Sequence, residues 1–562
     1  MSRHNSESFA SKVLLVINVL LGLHINFVSL TSASDALNEC KWDYNKITKH
    51  TICSIRTLEA THSTELLQEA LGTVKLDIVC DDSILFESQL PKKLFRDLSS
   101  VSELGLDSCK FAKLSENAFD GLSGLKKLTI NTKNSQWSSQ KSLEVQSSTL
   151  SGLKQLTTFE LTDSNIRIIP DGFYCPLNNL QVLNLTRNRI RSTENLGFSG
   201  DECSALKEIS ALDLSWNELR VIPENWAVSK LRRLQHLNLQ HNNISELSSE
   251  TLTGLNALRT LNLSYNHIDQ IPSGLFSSSK ELREILLQNN ELYELPKGVF
   301  HQLTQLLVLD LSKNLLTSHH INNETFAGLI RLVILNLSHN SLTRLDSKTF
   351  RELYFLQVLN LRNNSIGYID DNTFTPLYNL HELNLAENRL HTLSDKLFNG
   401  LQVLSKLTLN NNLISIVELN VFKNCSDLKE LDLSSNQLQD VPEALKDLSV
   451  LRTLDLGENQ IVQFRAGAFK NLIQLNGLRV IDNQIEKITK GMFEDLPHLS
   501  VLNMAKNRIQ SIERGSFDAN KEIEAIRLDG NFVSDINGIF SGLSSLLWLN
   551  LAGKLSLSLA GK

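Results

Sequence analysis

No stretch of this chain reads as an active site. HExxH, GxSxG, the P-loop, GxGxxG and CxxC are all absent, so the chemistries those motifs carry have no foothold. Carboxylate pairs such as Asp370 and Asp371 fall where a solvated turn is expected. Charge of one sign is not concentrated either. The 55 basic and 62 acidic side chains nearly balance, with a net charge of −7, which excludes a bulk nucleic-acid or anionic-membrane footprint. His319 and His320 are adjacent, but they lack a third ligand at metal-binding spacing. Enzyme, metal and cofactor are therefore not expected.

Apolar runs long enough to cross a membrane are missing beyond the N-terminus. There, Arg3 and Lys12 precede the apolar run Val13–Leu23, and small residues follow at Thr31–Ser34. That order predicts a secretory signal peptide over 1–33 and a secreted chain.

Cysteines number only seven, and their placement suits an oxidising compartment. Cys40 and Cys53 bracket a short segment that has no repeat, predicting an N-terminal cap over 34–72. Cys175 and Cys203 occupy nearly equivalent places on successive coils of the array described next, and Cys80 and Cys109 are expected to pair by the same argument. Cys425 is left as a buried thiol.

What the chain has in abundance is one motif, Leu-x-x-Leu-x-Leu-x-x-Asn-x-Leu. It recurs with asparagines at 188, 217, 242, 266, 290, 314, 340, 364, 388, 412, 436, 459, 483, 507 and 531, and ten of the fourteen gaps are 24 residues. A fixed period of this length predicts an α/β leucine-rich-repeat solenoid, a horseshoe with a parallel β-sheet on its concave face and an irregular or short-helical convex face. Alternating residues such as Leu383 and Leu385 suit a strand with one buried face. An amide carries donors and an acceptor, so one Asn per coil can satisfy backbone groups on its own and the adjoining coil. Phe at 276, 300, 350, 374, 398, 422, 469, 493 and 517 predicts a convex aromatic spine.

The repeats are expected over 73–550, in about 19–20 coils. The first are irregular: Cys109, Lys133 and Ser164 stand in the ladder slot, so the coil near Lys133 is expected to be loosest. The polar run 131–149, carrying Trp137, is expected to leave the solenoid as a loop. At 551–562 the logic fails. Lys554 stands where the next Asn belongs, and no Cys-rich cap follows, so this tail reads as the aberrant end of an incomplete product.

Seven sequons, Asn184, Asn243, Asn262, Asn323, Asn336, Asn363 and Asn424, are glycan candidates in a secreted chain. Asn184, Asn262 and Asn336 lie between strand leucines and so face the concave side, although "LNLS" is also simply favoured repeat sequence. Trp216, His241 and Tyr265 each precede a ladder Asn on three successive coils. Rings in such a row can anchor a partner or pack on each other.

The segments FLQVLNLRNNSIGYI (355–369), LKELDLSSNQLQDVPEAL (428–445), GLRVIDNQIEKI (477–488) and DINGIFSGLSSLLWLNL (535–551) resemble the ectodomain of insect Toll receptors. The likeness is greatest to the long, many-repeat subgroup of Tollo and eighteen-wheeler type, and it runs from Cys40 to Leu551. It implies a receptor for innate immune or developmental signalling at the plasma membrane. Its implied partner is a cystine-knot cytokine of the Spätzle type or a cell-surface protein, with receptor dimerisation as an implied assembly. The span and cytoplasmic signalling domain of that family do not follow here. A secreted adhesion or decoy module is the alternative.

Overall fold

The architecture follows from how little backbone each repeat commits to a strand. In a computed structural model, residues 39–552 are described except 44–48, 60–66, 83–85, 139, 199–203, 225 and 227–229. The expected signal peptide, Cys203 and residues 553–562 thus lie outside the described residues. A 22-stranded sheet runs the length of the array, and from the strand His50–Ile55 onward its pairing is parallel. Corresponding leucines pair across coils, as Leu359 does with Leu383 and Leu383 with Leu407. All three are buried.

Most strands are three residues long, such as Glu382–Asn384, because the chain turns inward at once. The ladder Asn makes that turn affordable in hydrogen bonds. Asn388 donates through Nδ2 to the carbonyls of Leu361 in the preceding coil and Leu385 in its own, both at 3.0 Å. Its Oδ1 accepts the backbone N–H of Ile366 at 3.0 Å. The same three-way bridge is built by Asn217, Asn266, Asn314, Asn412 and Asn436.

On the convex side the phenylalanines stack, with Phe398–Phe422 and Phe493–Phe517 centroids 5.9 and 5.8 Å apart and nearly parallel. Phe326 and Phe540 extend this spine beyond the residues the spacing predicts. Such pairs add about 0.5–1.5 kcal/mol each beyond area burial. The spine breaks between Phe422 and Phe469, where the coil shortens to a 3-10 turn, Glu443–Asp447, and buries Ala444 and Leu445 instead. Helix is otherwise scarce: the α-helix described is one turn, Asn134–Trp137.

At the N-terminal edge the strand Glu39–Trp42 lies antiparallel on His50–Ile55, with Cys40 opposite Cys53, and the two are disulfide-bonded. Cys80 is bonded to Cys109 on the next coil. Cys175 is also disulfide-bonded, and Cys425 is a buried free thiol whose pKa burial pushes up to about 12.

Two expectations for the irregular coils need correction. Lys133 is not in the ladder slot. It takes the left-handed step before it, at φ 51°, and Asn134 enters the core in its place, donating to the carbonyl of Phe111 at 2.9 Å. The strand Lys127–Asn131 stays in register with both neighbours, and the buried Thr132 that follows it moves the slot one residue on. Nor does the insertion swing free. The buried side chain of Asn165 donates to the carbonyls of Asn134, Ser138 and Lys141 at 2.9, 2.9 and 3.0 Å.

Candidate ligand-binding surface

The residue before each ladder Asn is held at positive φ in coil after coil: Arg187, Trp216, His241, Tyr265, Asn289, Lys313, His339, Asn363 and Glu387 all lie between 51° and 57°. A left-handed step costs a residue with a Cβ roughly 1–2 kcal/mol, and local bonds must over-determine it. They do: the N–H groups of Trp216, His241 and Tyr265 donate to carbonyls of the following coil at 2.9, 3.0 and 2.9 Å. The side chain at this step is thereby pointed away from the core and is released from packing constraints.

Three of these side chains form a stack. The ring of His241 lies 3.7 Å from that of Trp216 and 4.1 Å from that of Tyr265, within 17° of parallel to both. The Arg187 guanidinium covers the far face of Trp216, 5.6 Å from its centroid. The rings thus pack on each other, and Trp216 and Tyr265 remain 46% and 41% exposed. Burial between them lowers the pKa of His241, so the stack is uncharged at its centre near neutral pH.

Beside the stack runs a second column that spacing alone did not reveal. The residue between the two strand leucines is Asn or Asp in most coils, and its Oδ1 accepts the backbone N–H two residues on. Asp213 takes Ser215, Asn262 takes Ser264, Asp310 takes Ser312, Asn336 takes Ser338 and Asp455 takes Gly457, all between 2.8 and 3.1 Å. These are Asx turns closing each strand. They explain physically why "LNLS" and "LDLS" recur. The signal was present in the alternation of Asn and Asp with leucine.

The column also links sideways, Asn238 to Asp213 and Asn336 to Asp310, each at 3.0 Å. Burial raises the pKa of Asp310. It also raises that of Asp455, together with repulsion from Asp432, to about 6, while Arg479 stands 3.2 Å from it.

The sequons separate by environment. Asn243, Asn323 and Asn363 are exposed, Asn363 with its Nδ2 2.9 Å from His339 Nδ1. Asn184 is half-buried and holds Thr186 N–H. Asn262 donates its Nδ2 to Gln240 at 3.0 Å, and Asn336 is only 6% exposed. Asn424 donates to Asn399, which donates on to Asn372, at 2.7 and 2.8 Å. Among the described residues no group of three or more His, Cys, Asp or Glu is placed to hold a metal ion, and no helix is long and apolar enough to cross a membrane.

Comparison with known proteins agrees with this geometry. The leucine rich repeat family matches eight segments, 207–268 and seven overlapping ones over 280–555, and the BspA type leucine rich repeat region matches 88–215. Toll-like receptor 7 of Drosophila melanogaster is 64% identical over 524 residues, 92% of this chain and 36% of that protein. Toll-like receptor 3 of Boselaphus tragocamelus is 28% identical over 199 residues, 30% of this chain and 22% of the receptor. The chain thus spans about a third or less of the length of these relatives. Among solved structures, the Toll–Spatzle complex, described as a hub in Drosophila development and innate immunity, superposes with a TM-score of 0.72 at 21% identity, over 86% of this chain and 64% of that one. The chain belongs to the leucine-rich-repeat family, and its repeats are closely similar to those of a Toll-like receptor.

Proposed function

We propose that the chain is the recognition part of a Toll-like receptor ectodomain, displayed outside the cell, and that it takes a protein ligand in innate immune or developmental signalling. The observation that carries this reading is the exposed edge of the Trp216–His241–Tyr265 stack, held rigid by the column of left-handed steps. Trp, Tyr and Arg are the residues enriched at the energetic centres of protein interfaces, and here they arrive pre-ordered, so little side-chain entropy is lost on binding. The similarity to a Toll-like receptor and to the fold of the Toll–Spatzle complex points to a cystine-knot cytokine of the Spätzle type as the ligand class to try first, with a cell-surface protein next. The role is binding, not catalysis.

The test is surface plasmon resonance on the secreted chain against a panel of cystine-knot cytokines. Trp216→Ala and Tyr265→Ala should each weaken any binding found by roughly tenfold or more, with the thermal melt unchanged. Unaltered affinity in both variants would remove the stack from the interface.

A further inference from the structure

Folding assembles an arginine column that the sequence scatters. Ile166, Ile190 and Leu219 each donate a backbone N–H to the ladder Asn of the next coil, Asn188, Asn217 and Asn242, at 3.1, 3.1 and 3.0 Å. They are therefore equivalent positions on three successive coils. The residue after each is an arginine: Arg167, Arg191 and Arg220, all exposed. Coils in a parallel sheet repeat at about 4.8 Å, so the three guanidinium stems rise from one flank as a row. In the middle coil Arg187 and Arg189 flank ladder Asn188.

Glu218 sits within this group. Its Oε2 accepts from Arg191 Nε at 2.9 Å and its Oε1 lies 4.0 Å from Arg189 Nε. Asn165 Oδ1 accepts from Arg189 Nε at 3.1 Å. The Glu218 bond engages the inner Nε edge of Arg191, which stays 68% exposed. The chain as a whole is net acidic, so the row is a local construction. On the following coils the column passes to Ser245 and Asp269, which ends it.

In the middle coil, four residues before Arg191, Arg187 joins the aromatic stack, and this contact bears on what can dock. Trp216 has one face under Arg187 and the other against His241; His241 is covered on both sides by Trp216 and Tyr265. Bases and sugars are held by stacking on open ring faces, and these two rings have none. At Trp216 and His241 what remains are ring edges, with planar forks beside them, and a guanidinium fork matches a carboxylate bidentately.

We propose that this flank, from Arg167 through Arg191 and Arg220 to the edge of Trp216, docks an acidic segment of a protein partner. The inference deepens the receptor reading above and names the chemistry of one part of its ligand. Glu218 pre-orders Arg191, and an incoming carboxylate pairs with the outward amino groups of Arg191 and Arg220, both exposed. Such pairing speeds association and weakens as salt screens it.

Fluorescence anisotropy on the secreted full chain tests this with three probes: a labelled oligo-glutamate peptide, a heparin octasaccharide and a single-stranded oligothymidylate. The peptide should bind, and Arg191→Glu with Arg220→Glu should weaken it by about tenfold or more. Arg191→Lys with Arg220→Lys should give an intermediate loss, because charge remains and the fork does not. Melts and circular dichroism of each variant should match the parent. Peptide binding that is absent, or indifferent to the arginines, overturns the proposal, and arginine-dependent binding of heparin or oligothymidylate alone replaces the partner with a polyanion. If the peptide fails while cytokine binding remains sensitive to Trp216→Ala, this inference falls and the receptor reading stands.

Discussion

Asn388 reaches back across one coil to the carbonyl of Leu361, 3.0 Å away, while Ile366 of that same coil donates its N–H to the Asn388 oxygen at 3.0 Å. One amide thus satisfies backbone groups that no strand pairs. Asn388→Leu keeps the branched heavy-atom shape and removes every one of these bonds. Each buried group left unpaired costs roughly 1–3 kcal/mol, so the variant should melt clearly earlier in denaturant and be secreted poorly. A melt equal to the parent's would mean that water or a shifted backbone replaces the amide.

Asn165→Ala tests a different kind of amide. It should leave the stacked coils intact, because Ser164 and Asn188 still bridge there at 3.1 Å. The carbonyls of Asn134, Ser138 and Lys141 lose their shared donor. Hydrogen exchange and limited proteolysis should quicken most within 134–149, and less at the left-handed step of Asn165 and at Arg189, which it also holds, with only a small change in the global melt. Exchange that stays slow would show that the Asn134 side chain, bonded to Phe111, anchors the insertion unaided.

Asp455 provides a pH test. Its folded pKa is raised, mainly by burial and then by Asp432, to about 6 from an ordinary value of 3.8. Between these values the folded chain binds more protons than the unfolded one, so this group's contribution to stability falls as pH rises through that window. Above about 6 the charged, half-desolvated carboxylate is a standing cost. Asp455→Asn retains the oxygen that holds Gly457 N–H and removes that cost. The variant should be more stable than the parent at pH 7, by at most a few kcal/mol, and the advantage should vanish below about pH 4. An advantage that does not change with pH would place its origin elsewhere than this ionisation.

Sequon occupancy should follow exposure. Glycopeptide mapping of the secreted chain should find glycans at Asn243 and Asn323, which are exposed, and none at Asn336, whose amide nitrogen is spent on Asp310 inside the concave face. A glycan at Asn336 would require the strand column to open, and detecting one in folded protein would refute the pairing described here.

Much of this was legible before any coordinates. The ladder asparagines, the paired leucines and most of the phenylalanine spine repeat because every coil solves the same local problem, so a period in the text becomes a period in space. The Cys80–Cys109 pairing was legible for the same reason. Lys133 was misassigned because one added residue after the strand, Thr132, moves the inward step to Asn134, and only the neighbouring coils decide which amide they can reach. Asn165 has no reading in the sequence, because its three acceptors, all more than twenty positions away, meet only in the fold. The arginine row was invisible for a related cause. Arg167, Arg191 and Arg220 are separated by 24 and 29 residues, and their alignment depends on how two unequal repeats are absorbed between equivalent hydrogen bonds. Repetition along the chain dictates the core; which side chains meet on the surface is settled by the stacking of unequal coils.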